Sequence, residues 1–91
     1  MSDVNSVTIS GRLTRDPELR QTKSGANVAS FRLANNLAKK TNFFDVSLWG
    51  RSAETINQYG GKGSWISVTG RLEQEEWEDR DGNKRTSYRI T

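Results

Sequence analysis

The segment Phe43-Phe44-Asp45-Val46-Ser47-Leu48-Trp49-Gly50-Arg51 constrains the chain most, because its pattern suits one regular conformation. Side chains alternate faces with period two in an extended strand, so Phe44, Val46 and Leu48 point one way and form a core face. Phe43, Asp45, Ser47, Trp49 and Arg51 point the other way. That second face mixes two large rings with charge and hydroxyl, a poor core but a suitable wet platform for something flat and charged.

The rest of the composition matters chiefly for what it removes. With 91 residues the chain makes one domain, 1–91, and buries only a modest share of its surface, so a very regular fold or partner subunits would help it. There is no cysteine and no histidine. Disulfides, thiolate chemistry, the commonest general base and the commonest transition-metal ligands are therefore missing. We expect no catalytic residue, no metal site and no cofactor, hence no enzyme. A magnesium nuclease built on carboxylates is the surviving enzymatic option, but the clustered acids lie mostly on one hairpin and alternate faces, leaving only Glu73 and Glu75 together over a short span. No apolar run approaches the roughly 20 residues of a membrane span, and Met-Ser-Asp-Val-Asn lacks the order of a signal peptide. A soluble, cytoplasmic protein is expected.

Charge is segregated. Residues 73–81 (EQEEWEDRD) hold six of the eleven acids and one base, Arg80, so the remainder keeps thirteen bases against five acids. A basic body is the footprint of a nucleic-acid binder, although ordinary solvated surface explains charge alone about as well.

Along the chain, Val4–Thr14 alternates Val7, Ile9, Gly11 and Leu13 against Thr8, Ser10, Arg12 and Thr14, a strand with a glycine where a bulge or tight bend fits. Arg15–Ala26, with the only proline and a Lys-Ser-Gly-Ala turn signal, reads as loop. Asn27–Asn36 alternates again, with Arg32 on its more polar side, and a short polar connection, Asn36–Thr41, joins it to the opening segment as a hairpin. Ala53, Ile56 and Tyr59 then recur at three-residue spacing, with Ser52 as a candidate cap and Gly60-Gly61 as the stop, which predicts a helix of about two turns. Ser64–Leu72 resumes alternation, and Glu73–Glu78 and Lys84–Thr91 flank Asp81-Gly82, a hairpin signal. Three strands, a short helix and two more strands is the order of an all-β OB-fold, a five-stranded Greek-key barrel with its helix between strands three and four.

Six stretches, Asn5–Leu13 (NSVTISGRL), Asp16–Arg20 (DPELR), Val28–Ala34 (VASFRLA), Trp49–Glu54 (WGRSAE), Lys62–Ser64 (KGS) and Trp77–Gly82 (WEDRDG), stand in an order that resembles that of the bacterial-type single-stranded DNA-binding proteins. The resemblance implies an OB-fold, a homotetramer arranged as a dimer of dimers through first-strand pairing, and sequence-tolerant binding of single strands in replication, recombination and repair, close to the nucleoid. Carried over residue by residue, its stacking positions fall on Phe43, Trp49 and Trp77, the first two agreeing with the strand parity. Its basic positions at the helix start and before strand four fall on Arg51 and Lys62. Arg12, Arg15, Arg20, Arg32, Lys39, Lys40, Lys84 and Arg85 are further phosphate candidates.

Phe44, Val46, Leu48, Phe31, Leu33, Ile9 and Val68 are assigned to the core, and Tyr59 and Tyr88 to packing. Trp65, where relatives usually carry a smaller or polar residue, is an extra platform or an interface filler, with the interface slightly favoured. The chain departs from the resemblance in three places. Its second hairpin lacks the longer arm and extra tryptophan of many relatives. Glu73, Glu75 and Glu76 stand where relatives often carry bases, and Asp45 lies between the two rings. The acidic-tipped tail is missing, so partner proteins recruited through it are not expected of this chain. The competing assignment is an OB-fold assembly factor of the primosomal kind, acting mainly through protein contacts, for which the acidic segment speaks.

Overall fold

A two-residue turn sets the longest ladder. In the computed structural model, which describes residues 2–91, β3 (Asn27–Leu37) and β4 (Lys40–Trp49) pair antiparallel from Val28↔Trp49 to Leu37↔Lys40. Ala38-Lys39 alone makes the connection, and Ala38 takes φ 55, the positive value such tight hairpins need. Both strands thus run further than Asn36–Thr41 suggested, because that tip is exposed on both faces and leaves no hydrophobic alternation to read.

Around this hairpin the chain adds β1 (Val7–Leu13), β2 (Glu18–Gln21), a helix α1 (Arg51–Tyr59), β5 (Trp65–Gly70), β6 (Leu72–Glu78) and β7 (Lys84–Ile90). The sheet order is β5-β1-β3-β4-β7-β6, with β2 paired to the first half of β3 and β7 running parallel to β4. This is the all-β OB-fold, with seven strands counted where five were expected. The two extra strands have separate origins. Residues 18–21, read as loop, form β2 with all four side chains exposed, so main-chain pairing to β3 holds the segment without any buried face. The second comes from a break at Arg71, where β5 pairs with β1 while β6 pairs with β7. No ladder joins β5 to β6. The chain itself bridges them, and Arg71 exchanges main-chain hydrogen bonds of 3.0 and 2.9 Å with Thr91.

Leu13, Ala29, Phe31, Leu33, Val46, Val68 and Ile90 fill the interior, and α1 adds Ala53 and Ile56. Val7, Ile9, Phe44, Leu48 and Ile66 pack against them, so the expected core is present, with Ile9, Phe44 and Leu48 only partly buried. Two assignments need correction. Tyr59, the last helical residue, and Tyr88, opposite Gln74 on the face of β7 that also carries the buried Ile90, are both exposed. Neither packs into the core. The helix start also differs. Gly50, at φ 63, is the N-cap and no side chain among the described residues caps the helix, so Ser52 lies inside its first turn and Arg51 leaves the strand face. α1 ends where the chain turns extended at Gly60, and glycine suits that position because a Cβ there would lie 2.6 Å from Ile56 Cδ1 and 2.8 Å from its carbonyl oxygen.

Candidate nucleic-acid interface

The strand parity read from Phe43–Trp49 is realised on the outside of the sheet. Across β3 and β4 the register places Trp49 beside Val28, Ser47 beside Ser30, Asp45 beside Arg32 and Phe43 beside Ala34. The β6–β7 hairpin continues the same face, since Arg89 of β7 donates to Ser47 Oγ at 2.7 Å and carries Glu73, Glu75, Trp77 and Arg85 with it by strand alternation. Phe43, Trp49 and Trp77 therefore share one face of one sheet. Their exposures are 51, 50 and 52%, enough to offer a ring face while the other side rests on the protein. Six steps along the strand take Phe43 to Trp49, about 20 Å at the usual rise.

Between the rings the charge is arranged more favourably than Asp45 alone suggested. Asp45 has a basic residue in register on each side, Arg32 of β3 and Arg89 of β7. The Arg32 guanidinium sits 5.0 Å from the centroid of the Phe43 ring, an arrangement that favours a cation over the ring and holds it in place.

Trp49 also lines an open groove of about 1110 Å³. Its walls include Arg20, Lys23, Arg71 and Arg89 with Glu73 and Glu75, over a floor that includes Val28, Ser47 and Leu48. The buried Val28 belongs to this floor, although its strand parity was polar.

The remaining cations are scattered. Arg12, Arg15, Lys39, Lys40, Arg51, Lys62, Lys84 and Arg85 are all exposed, like Arg20 and Arg32. Arg12 pairs with Trp65 across β1 and β5 and donates to the Gly63 carbonyl at 3.1 Å. Lys39 and Lys40 lie at the tip of the β3–β4 hairpin, and Arg51 with Trp65 and Tyr59 lines a second groove beside α1. Arg20 alone of these joins Trp49. Sequence reasoning missed Lys23, Arg71 and Arg89, since only the pairing of β7 with β4 and the bend at Arg71 carry the two arginines to the groove. Among the described residues, no group of three or more His, Cys, Asp or Glu side chains is placed to hold a metal ion, and no helix is long and apolar enough to cross a membrane.

Asp79 holds the turn of the acidic hairpin. Its Oδ2 accepts from Arg85 Nε at 2.9 Å, and its Oδ1 accepts from the Asn83 and Asp81 amides at 2.9 and 3.0 Å. The Arg85 guanidinium first, and then the Asn83 amide, hold this carboxyl below its ordinary 3.8. A depressed value means that the stabilisation is complete above that ordinary value and is lost as pH falls through the folded one. The protection of the Asn83 amide, measured against its intrinsic exchange rate, should therefore fall below pH 3.8, and Asp79→Asn, neutral throughout, should abolish that step. An unchanged step in the variant would assign it to another carboxylate.

Comparison with known proteins adds a separate observation. Residues 4–91 match the model of the single-strand binding protein family. The chain is 42% identical over 99 residues to the single-stranded DNA-binding protein of Treponema pallidum, covering 100% of this chain and 56% of that protein. It is 47% identical over 96 residues to the single-stranded DNA-binding protein of Helicobacter hepaticus, covering 96% and 56%. For single-stranded DNA-binding protein 1 of Staphylococcus aureus the identity is 41% over 88 residues, covering 89% and 56%. The chain thus spans little more than half the length of these relatives.

Proposed function

The chain belongs to the single-strand binding protein family, and on that footing we propose that it binds single-stranded DNA without reading its sequence, as a non-enzymatic domain spanning residues 1–91. One observation carries this reading: three half-exposed rings, Phe43, Trp49 and Trp77, share a sheet face with Arg32, Arg85 and Arg89. Every base has a face to stack, so rings accept any sequence, while the guanidinium and ammonium groups hold phosphates. Arg32, Arg20 and Lys23 serve the phosphates nearest Phe43 and Trp49. Arg12, Arg15, Lys39, Lys40, Arg51, Lys62 and Lys84 supply the outer field, and Arg85 lies beside Trp77. The role proposed is protection of single strands in replication, recombination and repair, by a cytoplasmic, nucleoid-associated homotetramer.

Tryptophan emission should fall on adding oligo(dT) at low salt and recover as salt is raised. For three phosphate contacts log Kobs should decline with log salt at a slope of roughly −2, about −0.7 for each contact on a single strand. With a long oligo(dT), a tetramer saturates at one strand for four chains. Absence of quenching at low salt would overturn the reading.

A second reading, an assembly factor acting through protein contacts, is supported by Glu76 and Glu78, exposed acids on the opposite face of the hairpin without an ion-pair partner among the described residues. Under it a Phe43→Ala/Trp49→Ala variant keeps its affinity for DNA.

A further inference from the structure

Three arginines at the acidic hairpin are already occupied within the chain. Arg71 Nε meets Glu73 Oε1 at 2.7 Å, Arg89 Nε meets Glu75 Oε1 at 3.1 Å, and Arg85 Nε meets Asp79 Oδ2 at 2.9 Å. These pairs are of two kinds. Asp79 is largely covered, at 17% exposure, and also accepts two amides, so it belongs to the turn. Glu73 and Glu75 are 43 and 47% exposed, each holds its arginine through one carboxylate contact, and neither accepts any other hydrogen bond among the described residues. Both pairs line the groove of Trp49.

Resting on the binding reading above, we propose that Glu73 and Glu75 stand in for phosphate, occupying Arg71 and Arg89 until the backbone of a single strand displaces them. Exposed single-contact ion pairs are weak, whereas a guanidinium can grip a phosphate through two parallel hydrogen bonds, so exchange is open to the incoming strand. Ser47 Oγ keeps Arg89 aimed at the groove through the exchange. The freed carboxylates then take up cations from solution, which offsets part of the counterion release that drives binding. The acids thereby set a ceiling on affinity and flatten its salt dependence, and no arginine is lost from the site.

The test compares two variants with equal changes of charge. Glu73→Gln/Glu75→Gln frees both arginines, while Glu76→Gln/Glu78→Gln removes two charges from the opposite face of β6, where neither acid has an ion-pair partner among the described residues. Titrated with oligo(dT) over a range of salt, the first should bind about tenfold more tightly at low salt and steepen the slope by roughly 1.4, or 0.7 for each freed arginine. The second should gain less than about threefold with its slope unchanged. If the two variants coincide while the wild type quenches normally, the exchange is wrong and the binding reading stands. A wild type that does not quench overturns both.

Discussion

A Phe43→Ala/Trp49→Ala variant should bind oligo(dT) about thirtyfold or more weakly than the wild type, with its fold intact. Each ring that stacks a base contributes about 1–3 kcal/mol, so losing two removes about 2–6 kcal/mol. Removing Phe43 also strips Arg32 of the ring beneath its guanidinium, 5.0 Å from the centroid, and releases that cation to swing away from the strand's path. Both rings lie outside the core cluster. Truncation opens no cavity there, and the melting temperature should move by only a few degrees. Anisotropy of a labelled oligonucleotide is the measurement, because Trp65 and Trp77 remain and would confuse an intrinsic emission signal. Affinity within threefold of the wild type would move the binding site away from β4.

Much of that site was legible because alternation in β4 is local. Once Val46 is assigned inward, period two places Phe43 and Trp49 outward, and the structure puts Val46 in the core with the two rings half exposed. Where the signal is non-local, the reading thins out. Glu18, Leu19, Arg20 and Gln21 present no buried face, so β2 leaves only the trace of its pairing to Asn27–Ser30, which requires the three-dimensional register. Arg51 looked like the end of the strand because alternation carries no information about Gly50, whose positive φ turns the chain into α1. Arg89 is the most instructive omission. It lies 44 residues after Asp45 along the chain and reaches it only through the parallel β4–β7 pairing. Residues 73–81 read in sequence as one acidic segment, whereas in the fold two of its acids neutralise arginines in the groove. Net charge along a segment cannot show that pairing.

Gly11→Ala should lower stability by about 3 kcal/mol, the upper end of the usual cost of overpacking. The alternation of β1 marked this glycine as a bulge or bend, but its role is close approach: Gly11 is buried, and a Cβ there would stand 2.3 Å from the Ala34 carbonyl oxygen, 2.9 Å from its carbon and 3.1 Å from Leu33 Cγ. None of these atoms can retreat cheaply. Leu33 is fully buried, and the Ala34 main chain is fixed by the β3–β4 ladder opposite Phe43. The weaker seam must open, and it is β1–β3, whose register holds only Arg12↔Ala34 and Leu13↔Leu33, rather than β1–β5, which runs from Val7↔Gly70 to Arg12↔Trp65. Opening it pulls Ser10 from the Asn35 side chain, which donates to the Ser10 carbonyl at 2.8 Å, and disturbs the strand that backs Phe43. For a domain of this size 3 kcal/mol corresponds to a fall in melting temperature of about 12–24 °C. Thermal denaturation followed by circular dichroism measures it, with the exposed Thr8→Ala on the same strand, which loses only a hydroxyl contact to Thr69, expected to cost no more than about 1 kcal/mol. Equal melting temperatures for the Gly11 and Thr8 variants would mean that β1 can move off β3 without loss, and that the two strands do not pack as tightly at this crossing as the distances require.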